Sequence, residues 1–242
     1  LIAQIERFRC LLQVRECGRA TPAVPTIPLK VKPRFRGVSH SYAFFVSLLL
    51  LLGLQLAAPS PRARVACVVY GISLSALLAV SAVLHRVTWT SVRAREWMGR
   101  LDHGMIGFLI AGTYTPFGLL AVSPPRSTQL LTVIWTGAVA SGALHILRAD
   151  TPKALSALLY VVLGWVGAVA APQIVASVGL APMALLAIGG VVYSLGALVY
   201  AFRKPDPRPQ VFGYHEVFHA VVLVGAAIHY VAVCLLVAAL RR

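Results

Sequence analysis

The chain has 242 residues, of which 59% are hydrophobic and only 12% charged, and its mean hydropathy is +0.81. A soluble domain of this length carries about 25% charged residues, so the composition excludes a soluble enzyme or binding module and points to an integral membrane protein. The formal charge of +15, from 22 Lys+Arg against 7 Asp+Glu, would suggest nucleic-acid binding in a soluble protein. In a membrane protein it is first a topology signal, and no nucleic-acid partner is expected.

Residues 1–33 read as a basic cytoplasmic arm. Apolar Leu1, Ile2, Ile5, Phe8, Leu11 and Leu12 alternate with arginines over residues 1–20, the pattern of an amphipathic helix on an anionic membrane face. Pro22, Pro25, Pro28 and Pro33 then predict an extended linker. From residue 34 to 242 the chain reads as one membrane domain. Apolar runs fall at 42–58, 65–85, 102–122, 128–147, 154–171, 182–202 and 214–240. Each is close to the ~17–25 residues that a spanning helix needs. The predicted fold is therefore an all-α, seven-helix transmembrane bundle, in which every backbone polar group is satisfied within its own helix.

Positive charge orients it. With the N-terminus cytoplasmic, the inner segments hold Arg7, Arg9, Arg15, Arg19, Lys30, Lys32, Arg34 and Arg36, then Arg86, Arg93, Arg95 and Arg100, then Arg148 and Lys153, then Arg203, Lys204 and Arg208. The outer segments keep Arg62, Arg64, Arg126, Arg241 and Arg242. This bias predicts N-in and C-out.

Polar residues inside apolar spans are costly and mark function by default. The second span ends on Ser81 and His85, one turn apart, and the third opens on Asp102 and His103. The last span opens on His215 and His219, whose i,i+4 spacing stacks both imidazoles on one helix face. Span parity brings the ends carrying His85, Asp102, His215 and His219 to the same membrane face. A lone membrane histidine is more often a hydrogen-bonding partner between helices than a ligand. Three of them with an aspartate are harder to explain that way. Three neutral imidazoles with a fourth position open to water form a catalytic zinc site. Asp102 would orient the water or a ligand, and Ser81 would hydrogen bond to a substrate oxygen or to the water.

The other polar positions carry less. Glu216, about 100° around the helix from His215, is either a weaker candidate for the site or a residue facing headgroups. His40, His103 and His145 read as structural or peripheral. His229, ~15 Å along the helix from His219, is expected to bond a neighbouring helix rather than share an ion. Cys10, Cys17, Cys67 and Cys234 have no metal-ligand spacing. Gly112 and Pro116 in the third span, and Gly164, Gly167, Gly189, Gly190 and Gly196 later, are packing positions or kinks.

An ordered set of motifs carries a resemblance. Lys32-Pro-Arg-Phe-Arg-Gly37, Ser81-Ala-Val-Leu-His85, Asp102-His103 with Ala111-Gly-Thr-Tyr-Thr-Pro116, Gly164-Trp165, Gly189-Gly190 with Tyr193, and His215-Glu-Val-Phe-His219 with His229-Tyr230 together resemble the hemolysin III proteins. These are bacterial relatives of the progestin and adipoQ receptors, within a wider set that includes the alkaline ceramidases. The resemblance covers about Lys32 to Tyr230. It implies seven spans, an N-in orientation, a multi-pass location in the cell membrane, and Zn2+ on His85, His215 and His219, with Asp102 and Ser81 as the remaining polar site residues. It also implies three candidate activities: hydrolysis of a lipid amide or ester entering from the bilayer, membrane damage as the family name suggests, and non-enzymatic sensing of membrane lipids with zinc as a clamp.

Overall fold

The structure, a computed structural model, describes residues 32–148 and 151–241, and these are all-α. Eight α-helices build seven spans: α1 (Val38–Ala57), α2 (Pro61–Arg86), α3 (Val92–Leu120), α4 (Arg126–Leu147), α5 (Lys153–Trp165) continued by α6 (Ala171–Val178), α7 (Leu180–Phe202) and α8 (Tyr214–Ala239). The predicted amphipathic stretch 1–20 and the proline linker as far as Pro28 lie outside the described residues.

Local chemistry sets the helix ends. Ser60 caps α2 by accepting from the Ala63 N–H, with Pro61 at the first helical position, where no N–H is needed. Ser91 caps α3 in the same way through Ala94. At α8 the Glu216 carboxylate accepts from the Gly213 N–H at 2.8 Å, and Asp206 accepts from the Tyr214 N–H at 2.8 Å. Two of the otherwise unsatisfied N–H groups at this helix start are thus tied down before the histidines begin.

Six spans are long and apolar enough to cross a bilayer by themselves. The exception is α3, diluted by Gly104, Gly107, Gly112, Gly118, Thr113, Thr115 and Tyr114. It sits at the centre. The helix packs against α2, α4, α5 and α8, so its surface faces protein rather than lipid and need not be apolar. Its glycines are contact points: a Cβ on Gly112 would run into Ser73, and one on Gly107 into Ser141. Close approach through small residues is what holds membrane helices together, since lipid chains are as apolar as the core. Consecutive helices pack side by side, and α8 closes the bundle against α1 and α2. Hydroxyls pin α1 there, Ser47 bonding Ser75 at 2.8 Å and Tyr230 donating to the Leu50 carbonyl at 3.1 Å.

The fifth span departs from the expected single helix ending at residue 171. A 3-10 turn, Val166–Ala170, interrupts it, and α6 restarts with Pro172 in its first turn and runs on to Val178. The proline costs nothing at a helix start. The turn is supported from α3, where the Tyr114 hydroxyl donates to the Gly164 carbonyl and its ring packs on Gly167. Those two glycines are more than packing positions.

Candidate metal centre

At one end of the bundle α2 delivers Ser81 and His85 from its last turns, and α8 delivers His215 and His219 from its first. His85, His215 and His219 come together as span parity predicts. Their ligand nitrogens all lie within 4.8 Å of one another, and among the described residues this is the metal-competent group of histidines, cysteines and carboxylates. The His85 and His215 Nε2 atoms are 3.1 Å apart. Two nitrogens on a tetrahedral zinc at ~2.0–2.1 Å would sit about 3.3 Å apart, so this pair already has ligand spacing. The ring centroids of His215 and His219 are 4.5 Å apart, and those of His85 and His219 5.1 Å. His219 is 2% exposed, and its Nδ1 has no hydrogen-bond partner. Three neutral, largely buried imidazoles converging from two helices fit a borderline-soft divalent ion with nitrogen ligands.

The surroundings differ from the sequence reading at two points. His40, expected to be structural or peripheral, is 2% exposed and stacks on His219 with ring centroids 3.9 Å apart and planes 7° apart. Its Nδ1 bonds Ser81 Oγ at 2.9 Å. Ser81 in turn interacts with the carboxyl group of Asp102. An ionised carboxylate only accepts, so Ser81 donates to Asp102 and accepts from His40. The serine hydroxyl is therefore engaged by two side chains and is buried.

Glu216 is the second point. It does not face headgroups: it is 3% exposed and forms an ion pair with Arg36 at 2.5 Å. Together with its bond to the Gly213 N–H, this satisfies both carboxylate oxygens and makes burial tolerable. The segment carrying Arg36 is held by main-chain bonds from the Arg34 N–H to the Gln210 carbonyl and from the Phe35 N–H to the Val211 carbonyl. Gly37 follows with φ +75°, and a Cβ there would stand 2.5 Å from the His85 Cβ. The backbone thus rests directly on His85. A charged residue just before the first span and a glycine beside it were the available sequence signals for this contact.

His103 and His145 are also internal. His103 bonds the Gly99 carbonyl through Nδ1 at 2.8 Å and the Tyr200 hydroxyl through Nε2 at 2.7 Å, and its ring lies 5.4 Å from that of His145, which is buried. His229 bonds the Leu186 carbonyl at 3.0 Å, the interhelical contact expected of it. A cavity of about 130 Å³ runs from Asp102 and His215 past Phe218 and Leu186 to His229 and is lined mainly by apolar side chains. Cys67 and Cys234 are free thiols on α2 and α8, away from the histidine cluster.

A bundle of spanning helices with a three-histidine cluster at one end defines a multi-pass membrane protein with a candidate metal centre. Residues 29–230 match the Haemolysin-III related family model, and the chain belongs to that family. It is 31% identical over 199 residues to Hemolysin-3 of Bacillus cereus, covering 81% of this chain and 87% of that protein. To the Hemolysin-3 homolog of Bacillus subtilis (strain 168) it is 31% identical over 159 residues, 66% of this chain and 71% of the relative. Similarity extends to plants: Heptahelical transmembrane protein ADIPOR2 of Oryza sativa subsp. japonica is 34% identical over 172 residues, 64% of this chain and 75% of the relative.

Proposed function

We propose that His85, His215 and His219 hold a zinc ion and that the protein is a hydrolase of a lipid amide or ester. The observation that carries this reading is the meeting of the three imidazoles beside an apolar cavity that His215 and Asp102 line, which suits a ligand with a polar carbonyl and a hydrocarbon chain. When bound, zinc supplies a Lewis acid that polarises a carbonyl and lowers the pKa of water. The chain's own groups do the rest. Asp102 accepts the proton of the attacking water as its oxygen bonds the carbonyl carbon, then returns that proton to the leaving nitrogen or oxygen as the old bond breaks. Ser81 holds one face of the Asp102 carboxylate, and His40 holds Ser81, so the carboxylate keeps its direction. Leu186, Phe218 and Val222 exclude bulk water beside His215. We assign this end of the bundle to the cytoplasmic face of the cell membrane on the bias of arginine and lysine toward it.

Metal analysis of purified protein tests the foundation. Wild type is expected to carry about one zinc per chain, and His85→Ala and His215→Ala to lose it; equal zinc in all three would end the proposal. Asp102→Asn is expected to fold and keep zinc but to release no fatty acid from a panel of ceramides, acylamides and acyl esters that the wild type cleaves.

Two other readings each have an observation behind them. Two relatives are named Hemolysin-3, which favours membrane damage; dye release from liposomes above an unrelated seven-span control would support it. The cluster also ties α2 to α8, which suits a structural clamp in a lipid sensor. That role predicts that His219→Ala lowers thermal stability while Asp102→Asn has no specific effect.

A further inference from the structure

A second cavity, of about 280 Å³, opens at the same end of the bundle between the start of α3, the end of α4 and the start of α5. It is separate from the histidine cluster, and among the described residues its lining is polar: Arg100, Arg148, His103, His145, Thr151 and one carboxylate, Glu96. His145 is 5% exposed, and its Nε2 has no hydrogen-bond partner. A buried polar atom left unpaired is costly, so a group in the cavity that accepts from this nitrogen recovers that cost.

The neighbouring groups say what the group is. Both ring nitrogens of His103 are already engaged within the protein, Nδ1 donating to the Gly99 carbonyl and Nε2 bonding the Tyr200 hydroxyl. His103 is a wall, not a ligand to a cation. The guanidinium of Arg100 is fixed, donating to the Ile146 carbonyl at 3.1 Å and lying 4.7 Å from the centroid of the Trp97 ring. Among the described residues, two guanidinium groups against one carboxylate favour an anion, and planar forked donors favour phosphate. Trp97 beside them is a residue of the headgroup region. The space suits a headgroup-sized anion rather than one water. His103 also lines the apolar cavity, so an apolar body has a place next to the polar one.

We propose that this cavity binds a phosphate group, carried either by the headgroup of an anionic phospholipid or by a free phosphate ester. The site is independent of the metal reading. Its test uses the full chain in nanodiscs of phosphatidylcholine with or without phosphatidylglycerol, and in detergent with inorganic phosphate, read by retained lipid in native mass spectrometry and by thermal shift. Wild type is expected to retain phosphatidylglycerol over phosphatidylcholine, or to be stabilised by inorganic phosphate alone; the first assigns the phosphate to lipid, the second to a free ester. In either arm Arg148→Gln, at an exposed position, and His145→Asn are expected to weaken binding about tenfold or more, the loss of one charge-assisted or buried hydrogen bond, with zinc content unchanged. Glu96→Gln is expected to tighten it. Failure of wild type to bind in either arm, or binding undiminished in both Arg148→Gln and His145→Asn, overturns the proposal.

Discussion

Glu216, beside a helix turn of the candidate metal centre, invites the most direct test of how the site is built. Its carboxylate is 3% exposed, pairs with Arg36, and caps the Gly213 N–H. Replacing it with alanine removes the cap, typically worth ~1 kcal/mol, and leaves a guanidinium without its partner. Breaking a buried ion pair costs about 3–5 kcal/mol, but Arg36 is 20% exposed and regains some hydration. A total of about 2–3 kcal/mol follows, which for a chain of this size lowers the melting temperature by ~5–10 °C. The double variant Glu216→Ala with Arg36→Met carries no orphaned charge and is expected to recover roughly half of that loss, leaving the cap deficit. Thermal unfolding of wild type, both single variants and the double in one detergent completes the cycle. Additive single effects would show that the two groups do not act as a pair, and the account of the Lys32–Gly37 segment would fail with them.

Two further changes probe backbone contacts. Gly37→Ala forces a Cβ into a left-handed conformation, at about 1–2 kcal/mol, and against the His85 Cβ. It is expected to reduce both stability and zinc occupancy, whereas Gly99→Ala, with nothing within 4 Å of the new Cβ, should leave zinc occupancy intact; retained zinc in Gly37→Ala would refute the contact's role. Tyr114→Phe removes the donor to the Gly164 carbonyl at the break in the fifth span and should cost ~1 kcal/mol, a fall of about 2–4 °C in melting temperature. No change on differential scanning would show that the carbonyl is satisfied otherwise.

Much of the architecture was legible in the chain because bilayer thickness imposes one length on every span. Six of the seven apolar runs coincide with helices to within a few residues at most ends. The central span α3 was recognisable only by its apolar stretch after His103, since a helix surrounded by protein can carry Thr113, Tyr114 and Thr115 without cost. The histidine cluster was legible because its signal is local: Ser81 and His85, and His215 and His219, are each one turn apart, and alternation of span direction does the rest. The places of His40 and Glu216 were not legible, for the opposite reason. Their partners, Ser81 with His219 and Arg36, are 41, 179 and 180 positions away in the sequence, and a single polar residue at a span end has the same local pattern whether it meets headgroups or another helix. The interruption after Trp165 was invisible because every residue around it is apolar, and the group that stabilises it comes from α3.

The clustered histidines occupy the last turn of α2 and the first two turns of α8, and helix termini fray. A cluster with nitrogens 3.1 Å apart needs those termini held more firmly than intrahelical bonds alone hold them. The segment before α1 meets that need at both ends at once. Gly37 lies on His85, Arg36 holds Glu216 next to His215, and Arg34 and Phe35 bond the segment leading into α8. His40, one turn farther on, stacks on His219 and reaches Ser81. Seven residues from Arg34 to His40 therefore touch every turn that carries a histidine of the cluster. A glycine at position 37 and a cation at position 36 are requirements of that geometry.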